Sequence, residues 1–79
     1  MLTAEVSIYP LKTRDATSVI KQSISALDQT QVDYTVDAIK THITGTRDEV
    51  FHSLENMFDE AENRGGEISM VATITNAGQ

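Results

Sequence analysis

The sequence contains no cysteine and no tryptophan, and it has one proline. Without cysteine the chain can form no disulfide, no thiolate metal site and no cysteine nucleophile. No stretch approaches the roughly 20 consecutive apolar residues that a membrane-spanning helix needs. The N-terminus also lacks the basic start and long apolar run of a secretory signal. These absences predict a cytoplasmic protein with no membrane association.

Basic residues are scarce as well. Six lysines and arginines stand against twelve aspartates and glutamates, a net charge of −6. Binding to nucleic acid or to anionic lipid depends on basic side chains that neutralise phosphates, so neither partner is expected. Six acidic residues and no basic one lie between Asp48 and Glu62. A solvated helix face explains this run more simply than a cation site does.

The length of the chain, 79 residues, predicts one domain spanning residues 1–79. A domain of this size buries only about 60% of the surface that its unfolded chain exposes, so its core is marginal. Small domains compensate with disulfides, structural metals or self-association. Since the first is excluded and no metal motif is present, we expect a homodimer or a homotetramer.

Four segments alternate between apolar and polar residues, the pattern typical of a strand with one buried face. They are residues 2–9, 32–38, 39–44 and 68–75. Pro10 ends the first strand because it has no N–H for the ladder. The two middle segments are adjacent and predict a hairpin.

Two segments have the spacing of amphipathic helices. Asp15 is placed to cap the first helix, whose apolar stripe is Val19, Ile20, Ile24 and Leu27. Thr46 and Glu49 form a capping box for the second, and Gly65-Gly66 ends it. The apolar stripe of the second helix is Val50, Phe51, Leu54, Met57, Phe58 and Ala61.

The element order is therefore β-α-β-β-α-β, which predicts an α+β, ferredoxin-like fold. Two right-handed crossovers interleave into one four-stranded antiparallel sheet of order 4-1-3-2, with both helices on one face. The other sheet face stays open, and we expect it to pack on another subunit. The residues predicted on this open face are Thr3, Glu5, Ser7, Tyr9, Asp33, Thr35, Asp37, His42, Thr44, Ser69, Val71 and Thr73.

No catalytic or cofactor motif is recognisable. His42 and His52 are the candidate bases, and neither lies in a nucleophile motif. The histidines and carboxylates lack metal-ligand spacing. Arg14 follows the first strand as an anion-binding arginine would in an acylphosphatase, but the glycine-rich cradle is missing. We predict a protein that is not an enzyme and has no cofactor; an isomerase using His42 and Asp37 is the least favoured alternative.

A small-ligand site is the remaining possibility for chemistry. Carboxylates and hydroxyls cluster near the two central strands, at Glu5, Ser7, Asp37, Thr41 and Thr44. Carboxylates suit a cationic or amino-bearing ligand, and hydroxyls suit the ring nitrogens of a heterocycle. The simpler interpretation is that these residues only decorate the sheet.

Several segments resemble the thiamine/hydroxymethylpyrimidine-binding (YkoF-like) family. They are residues 3–11, residues 34–36 continuing through Thr41 to Gly45, residues 48–51, Gly65-Gly66 and residues 71–76. The resemblance implies a ferredoxin-like protein that forms dimers and tetramers and binds thiamine or its pyrimidine precursor without turnover. It further implies that Glu5 meets the cation or a pyrimidine nitrogen, with Ser7 and Thr41 hydrogen-bonded to the ring.

The alternation of side chains between the two faces of the sheet, the strand parity, complicates this site. If Ile39 and Ile43 face the helices, Thr41 lies on their side while Glu5 and Ser7 face the open side. Either a bulge re-aims the third strand, or these residues do not share one pocket. The function predicted is non-catalytic binding of thiamine or hydroxymethylpyrimidine by a homo-oligomer. The alternative is a structural or regulatory assembly module that uses its open sheet face.

Overall fold

The computed structural model describes residues 1–37 and 40–77. The elements in chain order are β1 (Leu2–Pro10), α1 (Ala16–Ser25) with a 3-10 turn after it (Ala26–Gln29), β2 (Asp33–Asp37), β3 (Lys40–Gly45), α2 (Arg47–Gly65) and β4 (Ile68–Thr75). The four strands form one antiparallel sheet of order β2-β3-β1-β4. The predicted fold and strand order are confirmed. The predicted strand positions Ala38 and Ile39 lie outside the described residues, as do residues 78–79 of the predicted tail.

Both helices begin where the sequence predicted. The Asp15 carboxylate accepts a hydrogen bond from the backbone N–H of Ser18 at 3.1 Å, which satisfies a free donor of the first turn of α1. At α2 the Thr46 hydroxyl accepts from the Glu49 N–H at 3.2 Å, and the Glu49 carboxylate accepts from the Thr46 N–H at 2.8 Å. Gly66 ends α2 with a φ of 76°, a conformation that costs glycine little.

The core lies between the helices and one face of the sheet. It is built from the alternate residues of β1, from Ile43 on β3, from the inner sides of α1 and α2, and from Leu27 and Val32 between α1 and β2. Its buried members are Leu2, Ala4, Val6, Ile8, Val19, Leu27, Val32, Ile43, Val50, Leu54, Met57 and Ala61. The helices therefore cover mainly the two central strands, β1 and β3.

Some residues predicted to be buried are exposed. Phe51 is 48% exposed because it lies about 100° around the helix from Val50, beyond the side of α2 that meets the sheet. Val36 and Ile74 lie on the helix-facing side of the sheet, as the alternation predicts, but they are 55% and 36% exposed. They lie on β2 and β4, the two edge strands, whose helix-facing sides are incompletely covered. Ala72 on β4 is exposed for the same reason.

A buried serine on α2 has an unsatisfied hydroxyl. Within the described residues, the Ser53 oxygen is buried and has no hydrogen-bond partner. An unsatisfied buried polar group costs about 1–3 kcal/mol, so we expect Ser53→Ala to raise the free energy of unfolding by about 1 kcal/mol in urea titrations.

Ser23 supplies the control for this prediction. It is equally buried, on α1, but its hydroxyl donates to the Ile20 carbonyl at 2.7 Å. Ser→Ala has the same effect on helix propensity at both positions. The difference between the two changes in the free energy of unfolding therefore measures the effect of the missing hydrogen-bond partner at Ser53. A gain at Ser23→Ala as large as that at Ser53→Ala would contradict the explanation.

Candidate functional site

A cavity of about 380 Å³ lies between α1 and the ends of β1, β2 and β3. Its volume is in the range of small-molecule sites, about 300–1,000 Å³. Most of its wall is apolar, and a few polar groups interrupt it. The described residues that line it are Val6, Ile8, Tyr9, Pro10, Ala16, Ile20, Ser23, Ile24, Val36, Asp37, Lys40, Thr41 and Met57.

The cavity exists because α1 fills its side of the sheet only in part. Of its ten residues only Val19 and Ser23 are buried. Ile20 and Ile24 are half-buried and form a wall of the cavity rather than filling it. Opposite them, Val36 on the edge strand β2 exposes an apolar side chain that no helix covers. The result is a recess open toward the β2 edge of the sheet.

Thr41 supplies a buried polar group to this recess. It is 4% exposed and pairs in register with Val6 on one side and Val36 on the other. A threonine hydroxyl can both donate and accept, so it suits a ligand with a ring nitrogen or an amino group.

One acidic and one basic residue are among the described lining residues, Asp37 and Lys40. They are paired in register at the end of the β2–β3 hairpin. The Lys40 ammonium lies 3.6 Å from a carboxylate oxygen of Glu5, on the open face of the sheet. The Lys40 ammonium is thus paired with Glu5, which is not among the residues that line the cavity.

Glu5, Ser7 and Thr44 lie on the open face, opposite the helices. Glu5 is paired in register with His42, and its carboxylate is 3.7 Å from the His42 Nδ1. The five predicted site residues therefore divide into two groups. Thr41 lines the cavity from the helix-facing side of the sheet. Asp37 is also among the lining residues, at the end of β2, but its side chain starts on the open face like that of its register partner Lys40, as predicted. Glu5, Ser7 and Thr44 lie across the sheet, and the ligand-binding role of all five stays a prediction.

Between β1 and β3 the pairing runs without interruption from Leu2 opposite Gly45 to Val6 opposite Thr41. A bulge in this stretch therefore does not re-aim β3, and the predicted parity of Thr41 is confirmed. The apolar walls of the cavity, Ile20, Ile24 and Val36, were predicted as core. An apolar stripe has the same spacing whether it is packed or faces a recess, so the sequence carries no signal that distinguishes the two.

The histidines form no metal site in the part of the chain that the structure describes. No cluster of three or more histidine, aspartate or glutamate side chains there could hold a metal ion. His42 is half-exposed on β3, and His52 is exposed on α2 as predicted.

Tyr34 connects β2 to the turn after α1. Its hydroxyl donates to the Asp28 carboxylate at 2.7 Å. That hydrogen bond, followed by desolvation and by the negative charge of Asp28, raises the pKa of Tyr34 from its ordinary value of 10.0. The protonated form is the one that the fold favours.

This raised pKa predicts a pH dependence of stability. The contribution of Tyr34 is fully present below the pKa of the unfolded tyrosine and is lost as pH rises through the higher folded pKa. In ultraviolet titration of tyrosinate, Asp28→Asn should move the Tyr34 transition to lower pH. Tyr34→Phe removes that transition and assigns it, since Tyr9 is the other tyrosine. Identical titration of Tyr34 in wild type and Asp28→Asn would contradict the role of the carboxylate.

Solved structures share this fold. A hypothetical protein from Methanocaldococcus jannascii has a TM-score of 0.87 and 21% identity, over 95% of this chain and 78% of that one. A Streptococcus pneumoniae protein has a TM-score of 0.86 and 23% identity, over 99% of this chain and 87% of that one. A Thermotoga maritima protein, proposed to act in thiamine biosynthesis or salvage, has a TM-score of 0.80 and 16% identity. The match covers 92% of this chain and 80% of that one. No curated protein matches the chain.

The sheet order, the helices on one face and the apolar recess beneath α1 define a ferredoxin-like α+β protein with a cavity of ligand size. The model of the YkoF-related family matches residues 2–78. The chain belongs to that family, which confirms the resemblance seen in its sequence. No helix in the described part of the chain is long and apolar enough to cross a membrane.

Proposed function

We propose that this protein binds thiamine or its hydroxymethylpyrimidine moiety in the cavity and does not transform it. The observation that carries the proposal is the recess of about 380 Å³, which is apolar but for a few residues that include the buried Thr41. The family supports it, and so does the fold shared with the Thermotoga maritima protein, which is proposed to act in thiamine biosynthesis or salvage.

The cavity suits a flat heterocycle with polar edges. Ile20, Ile24 and Val36 offer apolar contact to the faces of a ring, and burial of such surface stabilises binding. Thr41 can donate to a ring nitrogen or accept from an exocyclic amino group. The Asp37 carboxylate favours an amino group or a cation over an anion.

Binding without chemistry fits the residues that line the cavity. The described residues that line it include Tyr9, Ser23 and Thr41 but no histidine. The Ser23 hydroxyl already donates to a backbone carbonyl, so it is not poised beside a base as a nucleophile would be. The binding protein is proposed to act as a cytoplasmic homo-oligomer.

Isothermal titration with thiamine, and separately with hydroxymethylpyrimidine, tests the proposal. We expect saturable binding near one ligand per chain. Thr41→Val keeps the shape of the side chain and removes its hydroxyl, so it should weaken binding about three- to tenfold, the effect of one hydrogen bond of about 0.5–1.5 kcal/mol.

Thr44→Val is the matched control, because Thr44 is on the same strand but faces the open side. It should leave affinity unchanged. If Thr44→Val weakens binding and Thr41→Val does not, the ligand occupies the open face and the cavity proposal is wrong.

A second candidate function is assembly through the open sheet face. Tyr9 and Val71 on this face are 50% and 56% exposed, which suits packing against another protein surface. Absence of heat with either ligand, together with self-association in sedimentation equilibrium, would favour this function over ligand binding.

A further inference from the structure

We infer that Met57 limits the length of ligand that the cavity accepts. It selects a pyrimidine with a short substituent on the ring carbon opposite the hydroxymethyl group. This inference rests on the proposed function and deepens it. It assigns to Met57 a contact with the buried end of the ligand and the discrimination between pyrimidines of different length.

The burial of the lining residues distinguishes a closed end of the cavity from an open rim. Val6 and Met57 line the cavity and are 2% and 1% exposed. Tyr9 and Val36 also line it, but about half of each residue is exposed. A ligand therefore enters past the exposed residues, and the end that enters first comes to lie against the buried ones.

Met57 closes the inner end of the cavity from α2. The other described lining residues belong to β1, α1, β2 and β3, so Met57 is the contribution of α2 to this part of the wall. It also belongs to the hydrophobic core. Methionine is unbranched and flexible and fills irregular gaps between elements. Shortening this side chain would therefore lengthen the cavity, because the space that it leaves adjoins the cavity.

The two ends of hydroxymethylpyrimidine differ in polarity. One ring carbon carries a methyl group, and the opposite carbon carries the hydroxymethyl group, or in thiamine the methylene that leads to the thiazolium. Burial of the methyl group is favourable, whereas burial of a hydroxyl or a charge without a partner is costly. The methyl end therefore lies against Val6 and Met57, and the other end stays at the rim. Both ligands bind in this orientation because they share the pyrimidine.

A longer alkyl chain in place of the methyl group would collide with the Met57 side chain. One additional methylene in a hydrophobic pocket changes affinity about 10- to 200-fold. We expect the wild-type protein to bind hydroxymethylpyrimidine at least about tenfold more tightly than the analogue that carries a propyl group in place of the methyl group.

Isothermal titration with these two pyrimidines tests the role of Met57. Met57→Ala removes the atoms that close the inner end, so the preference for the methyl over the propyl compound should fall at least about tenfold. Met57→Val shortens the side chain less and removes less of the core. It should shift the preference in the same direction by a smaller factor, and it decides the question if Met57→Ala does not fold.

Leu54→Ala is the matched control. Leu54 is also a buried core residue of α2, but it is not among the residues that line the cavity. Its truncation loosens the core without lengthening the cavity, so the preference should stay unchanged. An equal fall in Leu54→Ala would overturn the role of Met57.

The remaining outcomes separate this inference from the proposed function. If the wild-type protein binds both pyrimidines equally well, or if neither Met57 variant changes the preference, the inference about Met57 fails and the proposed function stands. If the wild-type protein binds neither pyrimidine, the proposed function fails as well.

Discussion

Replacing Ile43 with alanine is expected to lower the free energy of unfolding by about 3 kcal/mol. Ile43 is 0% exposed on the central strand β3 and lies between Ala4 on β1 and Tyr34 on β2 in the sheet register. Truncation removes buried methyl groups and leaves a void that a tightly packed core fills only in part. Since proteins are stable by only about 5–15 kcal/mol, and small ones by less, the loss should be evident in urea unfolding.

Ile74→Ala is the matched control for Ile43→Ala. Ile74 pairs with the same Ala4 from the other side, on the edge strand β4, and has the same parity. It is 36% exposed, so its truncation should cost about 1 kcal/mol or less. An equal loss at both positions would mean that β4 is covered in solution, and concentration-dependent stability would then identify self-association as the cause.

Replacing Val36 with tryptophan is expected to lower affinity for thiamine or hydroxymethylpyrimidine at least about tenfold, the equivalent of 1.4 kcal/mol. Val36 lies on the cavity wall and is 55% exposed. An indole at this position would bury itself against Ile20 and Ile24 and so occupy the volume that we assign to the ligand. Titration calorimetry measures the loss of binding.

The control for that substitution is Val71→Trp. Val71 is 56% exposed, also on an edge strand, but on the open face. Because the two valines match in exposure, both variants should fold with similar stability, and only Val36→Trp should weaken binding. Equal weakening by both would contradict a ligand site confined to the helix-facing recess.

Local patterns in the sequence were sufficient to predict the fold. Strict alternation in residues 2–9 and 68–75 identifies strands with one buried face, since successive side chains point to opposite sides of the sheet. The caps at Asp15 and Thr46 depend on residues within three positions of each other. Such short-range chemistry can be read without knowing what the element packs against.

The candidate site could be predicted only in part. The parity of Thr41, Glu5 and Ser7 follows from the sequence, and their placement on opposite faces is what the structure shows. The sequence grouped them by residue chemistry because it holds no measure of distance across a sheet. The Glu5–Lys40 pair also escaped the sequence analysis, since it depends on the register between β1 and β3.

By itself, the sequence determined the order of elements, the strand parity, the helix caps and the acidic balance, because each depends on composition or on neighbours along the chain. Tertiary structure alone decided which apolar residues are covered. Val36, Phe51 and Ile74 fit the same patterns as Val6 and Ile43, yet the helices meet the central strands and leave the edges exposed. The cavity arises from that mismatch between a ten-residue helix and a four-stranded sheet. How much of a sheet a helix covers is decided by three-dimensional packing, which no local pattern records.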